Sequence, residues 1–311
     1  MANSPREATI SRSAIILLRA LWARPFLAMC GRFIVEHLAA NQIAMLGLAF
    51  LLVATVYAMV GHGGGSGYLA VMALAGLAPA YLRPTALSLN VLVASIALFR
   101  FARVGAFTPR LLWPFVCASI PCAFLGGMID VDPTVYKIVL GVVLLFAAYR
   151  LFAHLPRGAA ETTRGVPMPA ALATGGVIGI VSGLIGVGGG IFLAPVLLLA
   201  RWGTARQTAG VCAAFILLNS MAGLAGVVAG TLRTGETLPV EPLAIGVWGA
   251  AVAVGGFVGS GIGSRRLGHI ALRRTLAVVL ALAAGKMFLP STNQADSPPS
   301  ADSVEDVSEP T

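Results

Sequence analysis

Gly61-His62-Gly63-Gly64-Gly65 returns as Gly186-Val187-Gly188-Gly189-Gly190, and each run interrupts a long apolar stretch. "MLGLAFLLVATVYAMV" precedes the first and "ALATGGVIGIVSGLI" the second. Beyond each run lies another apolar segment and then a Thr-Ala pair, Thr85-Ala86 and Thr208-Ala209. The two glycine runs stand 125 residues apart and the two threonines 123, so the register slips by two residues. A period of that length is too long for a solenoid unit and implies duplication of a half-protein. Matched hydrophobic segments broken by glycine in two halves are the pattern of a secondary transporter, with the breaks near its binding site.

Composition places the chain in a membrane. Hydrophobic residues make up 58% and charged residues 11%, against roughly a quarter charged in a soluble domain. The windows 43–60, 111–129 and 243–264 carry no charge and are long enough to cross a hydrocarbon core. At that depth every backbone polar group needs an internal partner, and none of these windows alternates as a barrel strand does, so the spans are predicted to be helices. The expected fold is all-α: a polytopic helical membrane protein of two inverted-topology repeats, about five segments each, with broken helices at the glycine motifs.

Charge placement narrows the function. The net charge is +9, but five acids (Asp296, Asp302, Glu305, Asp306 and Glu309) lie in a Ser/Pro-rich tail without Lys or Arg. The other seven acids (Glu7, Glu36, Asp130, Asp132, Glu161, Glu236 and Glu241) fall in termini or connections and none in a span. That argues against a proton relay or a cation site built from buried carboxylates. The basic excess reads as a positive-inside bias and not as a nucleic-acid surface. Four cysteines (Cys30, Cys117, Cys122 and Cys212) without CxxC spacing read as small buried hydrophobes. No metal cluster or catalytic triad can be assembled from local spacing, so no cofactor, no metal and no enzymatic activity are expected.

Five regions follow along the chain. Residues 1–41 form a basic N-terminal segment whose stretch 14–35 suits an interfacial amphipathic helix. The first transmembrane repeat occupies 42–153, with segments at 42–60, 66–81, 84–100, 110–129 and 134–152. Residues 154–168 connect the halves. The second repeat occupies 169–290, with segments at 169–186, 190–201, 206–230, 242–263 and 270–289. Residues 291–311 form an acidic tail expected to be disordered. If all ten segments cross, the connections at 100–110, 150–168, 201–206 and 265–274 share one, cytoplasmic face, and the acidic connections at 130–132 and 236–241 lie opposite. Arg83 is an exception, left on the acidic side, and so is the basic N-terminus unless residues 14–35 make an extra pass. A re-entrant reading of 66–81 and 190–201 stays open as the alternative: a twelve-residue helix spans only about 18 Å, so 190–201 cannot cross as one helix.

The tract "GLIGVGGGIFLAPVLLLARWGTARQTAGVCAAFILLNSMAGLAG" (183–226) resembles the TauE/SafE family of sulfite exporter-like membrane proteins. The resemblance rests on Gly186 to Gly190, Pro195 and the Ala/Thr-rich start at 205–209. The first half repeats it as Gly61 to Gly65 and Pro84-Thr85-Ala86, with Ala70 in place of the proline and His62 inside the run. "FLGGMI" (124–129) and "GFVGSGIGSRRL" (256–267) match the small-residue helix before each half's last span. The likeness covers about residues 42–290. It implies export of small anions such as sulfite or organosulfonates across the inner membrane.

The residues suit that chemistry. Consecutive glycines interrupt a helix and present backbone N–H groups, and a helix starting just after them points its positive end at the break. Gly63, Gly64, Gly65, Gly188, Gly189 and Gly190 are therefore the expected substrate-binding residues, with Ser66, Thr85, Asn90, Thr208 and Asn219 as side-chain contributors. Each has a structural alternative: close helix packing for the glycines, helix capping for Thr85 and Thr208, interhelical hydrogen bonding for Asn90 and Asn219. His62, the only ionisable group in a glycine run, is the candidate for gating or proton transfer. The expected partners are a small anion and the lipid bilayer. The functions weighed against anion export are transport of an unrelated metabolite on the same fold, a membrane enzyme, and a non-transport membrane scaffold using the acidic tail.

Overall fold

The computed structural model describes residues 40–59, 61–152, 164–235 and 242–265, with isolated positions between 281 and 288. The N-terminal segment, most of the connection between halves, the last span and the acidic tail lie outside them. The described residues form nine helices and no strand: α1 (Ala40–Met59), α2 (Gly65–Ala75), α3 (Pro79–Arg103), α4 (Pro109–Met128), α5 (Pro133–Phe152), α6 (Met168–Ile185), α7 (Gly190–Leu199), α8 (Ala205–Thr234) and α9 (Pro242–Arg265). Six of these (α1, α3, α4, α6, α8 and α9) are long and apolar enough to cross a membrane.

The two halves interlock. The first half's α4 packs on α6 and α8 of the second, and the second half's α9 packs on α1 and α3 of the first; α3 and α8 meet at the centre. This reciprocal exchange is consistent with two halves related by a pseudo-two-fold axis. Glycine makes the exchange close. A β-carbon added to Gly175, Gly179 or Gly183 of α6 would lie 2.2, 2.4 or 2.0 Å from the carbonyl oxygens of Phe115, Ser119 and Ala123 on α4. On the other side, Gly255 and Gly259 of α9 would meet the carbonyls of Leu51 and Thr55 on α1 at 2.4 and 2.0 Å. Where lipid and Leu are equally apolar, small residues that let backbones touch are what hold helices together.

The basic connections gather at one end. Arg206 donates to the Val104 carbonyl, the Arg164 amide bonds the Arg201 carbonyl at 2.8 Å, and Gly261 near the end of α9 abuts Arg100. Asp130 and Asp132 lie at the opposite end, beside the start of α3 and the end of α8.

Three sequence expectations are corrected. The second segment stops at Ala75, on Gly76 in a left-handed C-cap, and α3 begins at Pro79, with proline at N1. Pro84 thus lies inside α3 and Thr85 well within it, so Thr85 caps nothing. In α8 the cap is Thr204: its side chain accepts from the Gln207 amide while Gln207 bonds back, a capping box, so Thr208 does not cap either. Of the three described cysteines only Cys212 is buried; Cys117 faces outward.

Candidate functional site

Both glycine runs turn the chain back on itself. After α1 the His62 amide closes on the Tyr57 carbonyl at 2.9 Å. Then α2 starts beside α1, with Gly67 packed on Val53 and Tyr57 and the Tyr57 hydroxyl 2.8 Å from Ser66 Oγ. Gly64 is the N-cap of α2, at φ 100°, and Gly189 the N-cap of α7, at φ 81°. Both are in the left-handed region that a side chain resists. The helices they open have 11 and 10 residues, about half a membrane's thickness at about 1.5 Å per residue. Segments 66–81 and 190–201 are therefore half-length helices preceded by non-helical glycine stretches.

The two N-termini converge. A β-carbon on Gly65 would lie 2.4 Å from Asn90 Nδ2 and 2.6 Å from the Val187 carbonyl oxygen. Gly63 and Gly188 both abut Asn90 and Ile216, and Gly188 also abuts Ser220 Oγ. Asn90 Nδ2 donates to the carbonyls of Gly186 and Val187 at 3.4 and 3.2 Å. Only the amide nitrogen can do this, which fixes the side-chain orientation. Asn90 Oδ1 then faces Gly63, and it is buried with no protein partner. Ser182 Oγ and Ser220 Oγ are also buried and unpartnered. Fully buried polar atoms left without partners are uncommon in helical interiors.

Other expected residues are placed differently. Ser66 is bonded to Tyr57, and Asn219 to Ser119 and, at 2.8 Å, to the Phe215 carbonyl, so the Asn219 amide is committed to helix packing. Thr85 is buried in α3 ahead of Asn90. Thr208 Oγ1 is buried, unpartnered and near Gly203, toward the basic end and away from the convergence. His62 is half-buried at the turn after α1.

Three residues went unread in the sequence. Ser220 is one position from Asn219 and therefore on a different face of α8. Two tyrosine hydroxyls hold the breaks: Tyr68 donates to the Gly63 carbonyl at 2.8 Å, and Tyr136 to the Ile185 carbonyl, just before Gly186, at 3.0 Å. A tyrosine in a span needs a partner for its O–H, and that was the available signal. Among the described residues no group of His, Cys, Asp and Glu could hold a metal ion.

The family model "Sulfite exporter TauE/SafE" matches residues 46–287. The chain is 42% identical to "Probable membrane transporter protein y4hK" of Sinorhizobium fredii over 246 residues, 78% of this chain and 97% of that protein. No solved structure matches. The chain belongs to the sulfite exporter TauE/SafE family, and it is a multi-pass membrane protein of a transporter family.

Proposed function

We propose that this TauE/SafE family member exports a small oxyanion, sulfite or an organosulfonate, across the bacterial inner membrane by alternating access, with the paired glycine breaks as its site. The observation that carries the reading is the convergence of two half-length helix N-termini at Asn90. Each N-terminus brings unsatisfied N–H groups and about half a positive charge, and glycine leaves no side chain in the way.

In this reading Gly63–Gly65 and Gly188–Gly190 present backbone donors, and the Asn90 and Ser220 side chains complete the shell. Thr85 and Thr208 lie along the two central helices, toward the approaches from each end. Ser66 and Asn219 keep neighbouring helices in place. His62, at the turn where the first break starts, is the group suited to gating or proton transfer.

The test is flux by purified protein in proteoliposomes against sulfite, thiosulfate, sulfonates and carboxylates, at varied pH and potential. The expected result is saturable movement of sulfite or a sulfonate that Gly189→Leu abolishes in a protein that still inserts. Normal flux in that variant, or no oxyanion moved by the wild type, would end the reading.

A further inference from the structure

We propose that a cavity at the acidic end of the protein is a second oxyanion site, separate from the glycine breaks. There Arg83 exchanges its bonds to the end of α4 for bonds to the anion. The inference rests on the reading of the chain as an anion exporter and adds an exit station to it.

The cavity has a volume of about 500 Å³ and lies between the start of α3, the α4–α5 connection and the end of α8. That holds a small anion with several waters, at about 30 Å³ per water. Arg83 is the only cation among its described lining residues. Its Nη1 donates to the Ile129 carbonyl at 3.0 Å, and its Nη2 to the carbonyls of Gly126, at 2.9 Å, and Gly127. Arg83 Nε has no partner. These acceptors are the unsatisfied carbonyls at the end of α4, which carry only partial negative charge. An oxyanion offers a full charge and paired oxygens that match the guanidinium fork, so it competes well for the same donors.

Two carboxylates share the cavity, Asp130 and Asp132. Asp132 accepts from the amides of Thr134 and Val135 at 2.8 and 3.3 Å, which caps α5 and holds the carboxyl below the usual carboxylate range. Negative charge here weakens anion binding, which suits a site that must release its ligand outward.

The cavity also borders the second break. Tyr136 lines it and bonds the Ile185 carbonyl, and the Arg83 carbonyl oxygen is 3.0 Å from where a Gly186 β-carbon would sit. An anion on Arg83 therefore loosens α4, which packs on α6 and α8, right beside the break. This gives a role to Arg83, an arginine at the acidic end that lines the cavity, whereas Arg233 in the last turn of α8 is not among the described lining residues. The counterpart of Arg83, Arg206, 123 positions on, sits at the basic end on the Val104 carbonyl.

The test uses full-length protein with Cys30, Cys117, Cys122 and Cys212 changed to Ala, carrying Thr234→Cys in the cavity wall. An impermeant maleimide labels the introduced thiol from outside proteoliposomes. Methanesulfonate is the probe, because sulfite reacts with thiol reagents, and chloride at equal ionic strength is the control. Methanesulfonate should slow labelling several-fold; Arg83→Gln should remove the protection and Arg83→Lys restore part of it. Sulfite flux should fall about tenfold in Arg83→Gln, the scale of one charge-assisted interaction. Absent protection with Arg83 present, or equal protection in Arg83→Gln, overturns the site whatever the flux. If wild-type protein moves no oxyanion yet protection depends on Arg83, the site stands and the exporter reading fails.

Discussion

Gly61 and Gly186 open matching glycine runs with similar left-handed backbones, φ 75° and 93°, yet their surroundings differ. A β-carbon on Gly61 would lie 2.4 Å from the Ala209 carbonyl oxygen and 2.8 Å from Ala209 Cα on α8. At Gly186 the nearest atoms, on Arg83 of α3, are 3.0 Å or more away. The first break is wedged against the backbone of its partner helix; the second is closely packed but less severely so, and it borders a cavity. Two copies of one motif thus hold unequal positions in a single conformation. In an alternating-access protein built from two halves, that inequality is what an exchange of states would reverse.

The largest expected effect tests the wedge. Gly61→Ala adds a backbone clash to the left-handed penalty and should cost roughly 3 kcal/mol. Gly186→Ala bears mainly the backbone penalty, roughly 1–2 kcal/mol. Thermal unfolding in detergent separates them, and equal losses would mean that the two breaks are packed alike.

Next, Asn90 and Asn219 can be set against each other. Asn90→Leu strips the Gly186 and Val187 carbonyls of their donor, a loss of about 1–3 kcal/mol, and should abolish sulfite flux. Asn219→Leu breaks the bond to Ser119, with a similar stability loss, but should keep most of the flux per folded protein. Comparable flux in the two variants would remove Asn90 from the site.

The tyrosine ties are a finer comparison. Tyr68→Phe frees the Gly63 carbonyl and Tyr136→Phe the Ile185 carbonyl, each at about 1 kcal/mol. Faster amide exchange should appear at the first break in one variant and at the second in the other. Exchange that rises at both breaks in either variant would show that they open as one unit.

The smallest effect concerns the central helices' starts. Thr204→Ala removes the capping box of α8 and should lower stability by about 0.5–1 kcal/mol. Ala78→Gly at the start of α3, where no side chain caps and Pro79 presets the backbone, should change it by only a few tenths of that scale. A larger loss at Ala78 would contradict this assignment of the caps.

Much of this was legible locally. The apolar runs, the glycine interruptions and the segregation of arginines from acids are one-dimensional signals, and they marked the six described helices long enough to cross a membrane and the grouping of basic connections; the packing is consistent with the expected repeat. Helix boundaries were less legible. Pro84 looked like a helix start, but Pro79 sits at N1 and starts α3 earlier, and the second half's cap moved from Thr208 to Thr204. Asn90 and Asn219 looked alike as amides in apolar spans. Their neighbours decided the matter, the carbonyls of the second break for one and Ser119 for the other. Ser220, Tyr68 and Tyr136 were missed because a hydroxyl's target lies across the fold.

By itself, the sequence determined that the chain crosses a membrane as helices and that a glycine run interrupts its apolar stretches twice. Hydrophobicity, charge and glycine's lack of a side chain act within a few residues, wherever the rest of the chain lies. Only the tertiary structure decided that the two interruptions meet at Asn90, that α4 and α9 exchange between halves, and that Arg83 latches α4 beside a cavity. Those outcomes depend on close approach between helices distant in sequence, and on which buried donor finds which carbonyl once the backbones touch.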